Sequence, residues 1–191
     1  MDRSDADGGT ERARRDALLV VRAQLGDRRA LAELVGRWHA PVWRYVRRML
    51  GASGDADDVS QEVWAAALRA LPRLDRPGRF APWLYTIARR SVMNQLRAGY
   101  DARRAGAGDP EDAGHVTEEE AGAVLDRAQV AEGLAALVPR EREVLILFHL
   151  EDLSLEECAQ VLAVPVGTVK SRLFHARRSL RARLIEKGYT S

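Results

Sequence analysis

The fold of this chain is decided by the segment "SLEECAQVLAVPVGTVKSRLFHARRSL" (Ser154–Leu180). Ser154 followed three residues later by Glu157 is the pattern of a capping box, which predicts that a helix begins here. The turn-like "AVPV" (163–166) ends this helix, and apolar residues then recur at helical spacing over the rest of the segment. We expect the hydroxyl of Thr168 to cap the second helix. Two helices joined by so short a turn predict a helix-turn-helix unit.

The second helix of this unit divides into an apolar face and a basic face. Its predicted inward positions are Val169, Leu173, Ala176, Leu180 and Leu184. Its predicted outward positions are Lys170, Ser171, Phe174, Arg177, Arg178 and Arg181. An outward aromatic ring beside serine and basic residues is typical of a helix in the DNA major groove, where apolar groups meet thymine methyls and polar groups bond base edges. A merely solvated basic helix is the alternative, but it does not explain the capped partner helix, the tight turn and the outward aromatic together.

The overall composition limits the class of protein. The chain has 191 residues, of which 46% are hydrophobic and 30% are charged. Its longest apolar run, "VLILF" (144–148), is far shorter than the roughly 20 residues that cross a bilayer. The charged N-terminus has no apolar core behind it and predicts no secretory signal. The single cysteine, Cys158, excludes an internal disulfide and is expected to be a buried, unreactive thiol. We therefore predict a soluble cytoplasmic protein without membrane insertion.

All the predicted elements are helices, because apolar residues recur at helical spacing and no run alternates as a strand would. In the first part of the chain this spacing begins with Leu18, Val21 and Leu25. The predicted fold class is all-α, with two small helical domains joined by a flexible acidic linker. The predicted boundaries are a disordered tail over 1–16, a first domain over 17–98, the linker over 99–122 and a second domain over 123–187.

Three segments resemble the extracytoplasmic-function (ECF) group of the bacterial sigma-70 family, in the order that the family has them. They are "DADDVSQEVW" (55–64) and "FAPWLYTIARRSVMNQLR" (80–97), which are similar to region 2, and Ser154–Leu180, which is similar to region 4. The resemblance implies a transcription initiation factor that binds core RNA polymerase and promoter DNA, is commonly held by an anti-sigma factor, and carries no cofactor. It also implies that the chain is not an enzyme, because the chemistry belongs to the polymerase.

The resemblance also assigns roles to residues. Four residues of the first segment look like the set that docks on the polymerase clamp: Asp55, Asp58, Gln61 and Glu62. Helix capping is the alternative role for Asp55. Around the second segment, aromatic and basic residues interleave as they do in sites for single-stranded DNA, and Asn94 matches a family position near the flipped base. The set expected to melt and capture the single-stranded −10 non-template strand is Arg79, Trp83, Tyr85, Arg89, Arg90, Asn94 and Arg97. Packing in the core is the alternative role for Trp83.

The set expected to read the double-stranded −35 element is Thr168, Lys170, Ser171, Phe174, His175, Arg177, Arg178 and Arg181. Other classes of protein remain open at this point. The main one is a helix-turn-helix regulator that acts without replacing the housekeeping sigma factor. An RNA-binding or scaffold protein would use basic helices without sequence preference. A metal-dependent nuclease would need acids grouped on the basic surface, whereas the acids here lie apart from it.

Overall fold

The computed structural model describes residues 3–51, 55–104 and 123–186. Within these ranges the chain is helical and contains no strand, which confirms the predicted all-α class. Short 3₁₀ turns occupy Leu71–Arg73 and Pro77–Arg79, and a single π-helical turn occupies Ile146–Leu150. The helices are α1 (Arg3–Gln24), α2 (Arg28–Leu50), α3 (Ala56–Ala70), α4 (Phe80–Arg104), α5 (Ala123–Ala135), α6 (Pro139–Leu145), α7 (Leu155–Leu162) and α8 (Val166–Glu186).

Helices α1 to α4 form an N-terminal bundle, and its first helix corrects the prediction of a disordered tail over 1–16. Helix α1 begins at Arg3. The middle of α1 is held on α2 by two contacts: the Arg12 guanidinium lies 4.5 Å from the Trp38 ring centroid, and Arg37 Nε donates to the buried Asp16 carboxylate at 3.2 Å. A cation over an aromatic face and a paired buried carboxylate both favour the ordered helix.

The apolar face of α1 also differs from the prediction. Leu19 and Val20 are buried, whereas Leu18, Val21 and Leu25 are exposed. Asp16, Leu19 and Val20 lie on one face of α1 at helical spacing, and this face is buried. The ion pair of Asp16 with Arg37 of α2 therefore accompanies the turning of this face toward α2.

Helix α2 is continuous from Arg28 to Leu50 and contains Pro41 in its interior. Trp38 and Val42 on either side of Pro41 are both buried on the same face, and this packing maintains the helix through the proline. The Asp27 side chain caps the start of α2 by accepting hydrogen bonds from the N–H groups of Arg29 and Ala30.

Helices α5 to α8 form a C-terminal bundle that contains the helix-turn-helix unit. Ser154 and Glu157 make both hydrogen bonds of the predicted capping box at the start of α7. The turn to α8 passes through Ala163, which has a left-handed backbone with φ of 53°. Helix α8 begins at Val166, so Thr168 lies inside its first turn and is not its cap. Val169, Leu173 and Ala176 are buried as expected.

The two bundles pack against each other, α4 against α7 and α2 against α5 and α6. The predicted linker over 99–122 is helical up to Arg104 as part of α4, and residues 105–122 lie outside the described residues. Cys158 is buried in the C-terminal bundle, where burial and the nearby Glu157 raise the pKa of its thiol to about 12. This pKa keeps the thiol protonated and unreactive at neutral pH.

Candidate nucleic-acid and polymerase interfaces

Helix α8 presents the predicted basic face to solvent. Lys170, Ser171, Phe174, Arg178 and Arg181 are all exposed, and the Phe174 ring is 64% exposed. The face therefore combines an apolar contact with cations and hydroxyls, as major-groove binding requires.

One arginine of this face is held in place by the π-helical turn that precedes α7. Arg177 Nε donates to His149 Nε2 at 3.1 Å, and the guanidinium lies 5.7 Å from the Phe148 ring centroid. Burial and the positive charge of Arg177 lower the pKa of His149, which keeps the imidazole neutral and able to accept this hydrogen bond. This contact cannot be predicted from sequence spacing, because His149 and Arg177 are 28 positions apart.

The remaining predicted members of the α8 set differ in exposure. His175 is exposed and its ring contacts that of Phe174, with centroids 5.5 Å apart. Thr168 is only partly exposed. Ser171 Oγ donates to the carbonyl of Gly167 at 3.1 Å, so its hydroxyl proton is used inside the helix and its oxygen remains available as an acceptor.

The structure divides the predicted α4 set. Arg79, Arg90, Asn94 and Arg97 are exposed and available to a nucleic acid. Trp83 is partly buried and packs on Phe80, with ring centroids 5.6 Å apart. Part of its indole is therefore in the core and part is at the surface, so both roles considered for it are compatible with its position.

Tyr85 requires a correction, because its ring is fully buried and cannot stack on a base in this arrangement. The ring packs edge-on against Trp38 and Tyr45, at centroid distances of 6.0 and 5.3 Å. The hydroxyl donates to the Glu151 carboxylate of the C-terminal bundle. Burial and the charge of Glu151 raise the pKa of Tyr85 well above its ordinary value, so the phenol stays protonated.

Arg89 is also engaged by the C-terminal bundle. Its Nε lies 3.0 Å from Glu143 Oε1, and the Tyr45 hydroxyl donates to the same oxygen at 3.0 Å. A parallel pair joins Arg48 Nη1 to Glu151 Oε1 at 3.0 Å. Glu143 and Glu151 are almost completely buried. Burial raises the pKa of both carboxyl groups, although the neighbouring arginines and tyrosines act in the opposite direction.

The start of α3 carries the predicted acidic set. Asp55 accepts hydrogen bonds from the N–H groups of Asp57 and Asp58 at 3.1 Å each, which gives it the capping role. Asp58, Gln61 and Glu62 are exposed, so three of the four predicted side chains are available to a partner. Acidic groups at the positive end of a helix are stabilised there and suit a basic partner surface.

Arg142 is a buried cation that joins the two bundles, and no sequence pattern predicts this position for it. Its guanidinium donates to the carbonyls of Leu134 and Ala135 in the last turn of α5 and to that of Leu137 just after the helix. It also donates to the Met49 carbonyl of the N-terminal bundle at 2.8 Å. Four carbonyls are thereby satisfied by one side chain, which ties the two bundles together.

Among the described residues no group of His, Cys, Asp and Glu could hold a metal ion. None of the helices in the described ranges is long and apolar enough to cross a membrane.

Comparison with known proteins gives two family models and several relatives. Residues 34–100 match the model for sigma-70 region 2, and residues 127–180 match that for sigma-70 region 4. The chain is 36% identical over 160 residues to ECF RNA polymerase sigma factor SigL of Mycobacterium tuberculosis, covering 80% of this chain and 88% of that protein. It is 36% identical over 179 residues to the ECF RNA polymerase sigma-E factor of Escherichia coli K12, covering 86% and 92%.

Solved structures agree in fold. CnrH, in complex with the cytosolic domain of CnrY, superposes with a TM-score of 0.69 at 29% identity, covering 90% of this chain and 98% of that one. The sigma factor RpoE of Bartonella quintana, in complex with the anti-sigma factor NepR, gives 0.70 at 22% identity, covering 81% and 96%. The latter likeness shows the fold alone.

Proposed function

The chain belongs to the ECF group of the sigma-70 family and is a promoter-specificity factor of RNA polymerase. We propose that three separate surfaces bind the −35 element, the −10 element and core polymerase. Sigma factors are transcription initiation factors, not enzymes, and the comparisons favour this function over a helix-turn-helix regulator that acts beside the housekeeping sigma factor. We propose that the chain has no catalytic activity of its own and works in the cytoplasm, where core polymerase is found.

The proposed −35 surface is the exposed face of α8, and the observation that carries it is the 64% exposure of Phe174 among serine and basic side chains. In the major groove the ring would cover a thymine methyl, and Lys170 and Ser171 would bond base edges. Arg178 and Arg181 would neutralise phosphates, which makes binding dependent on salt. His149 and Phe148 would orient Arg177 toward the DNA.

The proposed −10 surface is the exposed part of α4 and the turn before it. Arg79, Arg90 and Arg97 offer charge for the phosphates of the non-template strand, and Asn94 offers hydrogen bonds to an unstacked base. The exposed part of Trp83 offers an aromatic face at the point of melting. Tyr85 is left out of this set, because its ring belongs to the core of the N-terminal bundle.

The proposed polymerase surface is the start of α3. Asp58, Gln61 and Glu62 contact core polymerase, and Asp55 caps the helix N-terminus. We also propose an anti-sigma protein as a partner, since RpoE was solved with the anti-sigma factor NepR and CnrH with the cytosolic domain of CnrY. Its basic residues would compete with polymerase for the same acidic side chains.

Run-off transcription with purified core polymerase, on a library of promoter fragments with and without the protein, tests the function. We expect new transcripts from a discrete subset of fragments that share paired −35 and −10 sequences. Sequence-specific DNA binding without core polymerase, together with no new transcripts in its presence, would contradict the proposal.

A further inference from the structure

The first helix of the N-terminal bundle is apolar on two nearly opposite faces. Its buried face carries Leu19 and Val20, which pack in the core of the bundle. On the other face Leu18, Val21 and Leu25 are 60%, 41% and 83% exposed. A helix on the surface of a globular protein normally carries polar residues on its solvent side. The packing of this chain therefore accounts for only one of the two apolar faces of α1.

The three exposed side chains form a continuous line along α1. Leu18, Val21 and Leu25 are spaced by three and four residues, which places them within about 60° of one another around the helix. This is the spacing of successive a and d positions in the heptad of a coiled coil. Single exposed apolar residues are ordinary on protein surfaces, whereas such a line matches the seam by which one helix packs on another. We call these three residues the α1 stripe.

Cations border the α1 stripe on the side of α2. In the same heptad, Arg15 and Arg22 take the e positions directly beside the stripe, and both are exposed. Arg15 Nη2 lies 2.9 Å from Glu33, and Arg22 Nη2 lies 2.6 Å from Asp27. Exposed ion pairs of this kind contribute little, and a guanidinium has five N–H donors. Both arginines therefore keep donors for an acidic group of a partner.

A second basic segment lies along the other side of α1. Gln24, at the g position of the heptad, donates from Nε2 to two backbone carbonyls of residues 71–74, at 2.9 and 3.0 Å. These hydrogen bonds hold the turn after α3 against α1, across the stripe from the e positions. Arg73 and Arg76 are exposed in this segment, together with Asp75. Basic side chains therefore accompany the α1 stripe on both of its sides.

The charge around the α1 stripe selects its occupant. A second copy of the chain would place arginine against arginine in an antiparallel pair, and Ala17 or Gln24 against arginine in a parallel pair, so it supplies no acid. A lipid surface would take up only three side chains, because the opposite face of α1 is fixed in the bundle. A helix with apolar a and d positions and acidic e and g positions is complementary to both the stripe and the cations.

We propose that the α1 stripe is a docking site for an amphipathic helix of another protein, apolar on its contact face and acidic beside it. The site shares no residue with the proposed −35, −10 and polymerase surfaces. Its acidic partner is also opposite in charge to the basic partner proposed for the start of α3. The site therefore gives the protein a contact to a second protein that is separate from promoter reading.

The probe is a fluorescent synthetic peptide of about three heptads, with leucine at a and d and glutamate at e and g, where like charges oppose its self-association. One control peptide has the same composition in scrambled order, and another has lysine in place of glutamate. Binding to the full-length protein is measured by anisotropy at low and at raised salt. We expect the glutamate peptide to bind at least about tenfold more tightly than either control, and raised salt to weaken its binding.

Two variants remove apolar contacts from the stripe without changing the charge. We expect Leu18→Gln and Leu25→Gln each to weaken binding of the glutamate peptide about tenfold, and the double variant to bind it no better than the scrambled peptide. Ile185→Gln is the matched control, because Ile185 is an exposed apolar residue of α8, and it should leave the affinity unchanged. Urea unfolding should be unchanged in all of these variants, since the replaced side chains are exposed.

Four results would overturn the proposal. The first is equal affinity for the glutamate and lysine peptides, and the second is unchanged affinity in both stripe variants. The third is a dimer of the wild-type protein, seen by light scattering, that Leu25→Gln dissociates, because the stripe would then join two copies. The fourth is binding to vesicles of phosphatidylcholine and phosphatidylglycerol that Leu25→Gln abolishes, without binding of the glutamate peptide, because the stripe would then contact a membrane.

Discussion

Truncation of Phe174 to alanine isolates the apolar part of DNA reading from the charge of α8. A phenylalanine side chain can bury about 200 Å². With 64% of the residue exposed, about 130 Å² remains for DNA to cover. At about 25 cal/mol per Å² complete coverage contributes roughly 3 kcal/mol, and coverage of one face about half of that. We therefore expect Phe174→Ala to weaken binding to a cognate −35 duplex about tenfold.

The folding free energy of this variant should change by less than about 1 kcal/mol, because exposed positions contribute little to stability. The assay is the affinity of the reconstituted holoenzyme for promoter duplexes with native and scrambled −35 elements, with urea unfolding of the free protein alongside. Ile185→Ala is the matched control, since Ile185 lies on the same helix and is 53% exposed but is outside the predicted set. Unchanged affinity of Phe174→Ala, or an equal loss on the scrambled duplex, would refute the reasoning.

Three further predictions concern stability and the packing of the two bundles. Ser154→Ala removes the capping box of α7 and should lower the free energy of unfolding by about 1 kcal/mol, measured by urea titration; no change would mean that the cap is redundant. Arg142→Met leaves four carbonyls without their donor and should lower that free energy by at least about 3 kcal/mol in the same titration, and a loss below 1 kcal/mol would contradict the bonding described. Burial raises the pKa of Glu143 and Glu151, so packing of the C-terminal bundle on the N-terminal bundle is favoured by protonation and weakens as the pH rises through the raised pKa values. Lowering the pH from neutral toward 4.5 should therefore shorten the distance between fluorophores attached to the two bundles, measured by energy transfer. An increase of this distance on acidification would contradict the prediction.

The sequence predicted those features that depend on residues close together in the chain. Ser154 and Glu157 bond each other directly, so their spacing was enough to locate the start of α7. The face of α8 follows from the period of one regular helix, and the exposure of Phe174 was predicted on that basis. Resemblance to a family supplied the division of labour between the two bundles, which no local pattern contains.

The features that the sequence did not predict depend on contacts between distant residues. The helix of the N-terminal segment is stabilised by contacts of Arg12 with Trp38 and of Asp16 with Arg37. Neither partner can be identified from sequence spacing. Tyr85 stands among basic residues in the sequence, yet its neighbours in space are Trp38, Tyr45 and the carboxylate of Glu151. Interleaving of aromatic and basic residues is produced by a nucleic-acid site and also by an amphipathic helix with an aromatic core.

The π-helical turn Ile146–Leu150 positions two contacts of the protein at once, that of His149 with Arg177 and that of Glu151 with Arg48. Its hydrogen bond from the Glu151 N–H to the Ile146 carbonyl spans five residues, one more than an α-helix uses. His149 reaches Arg177 on one side of this turn, and Glu151 reaches Arg48 immediately after it. Deleting Leu150, which lies between His149 and Glu151, would remove the extra residue of the turn and rotate Glu151 by about 100° relative to His149. A single deletion would therefore break one of these two contacts, so both of them fix the length of this turn.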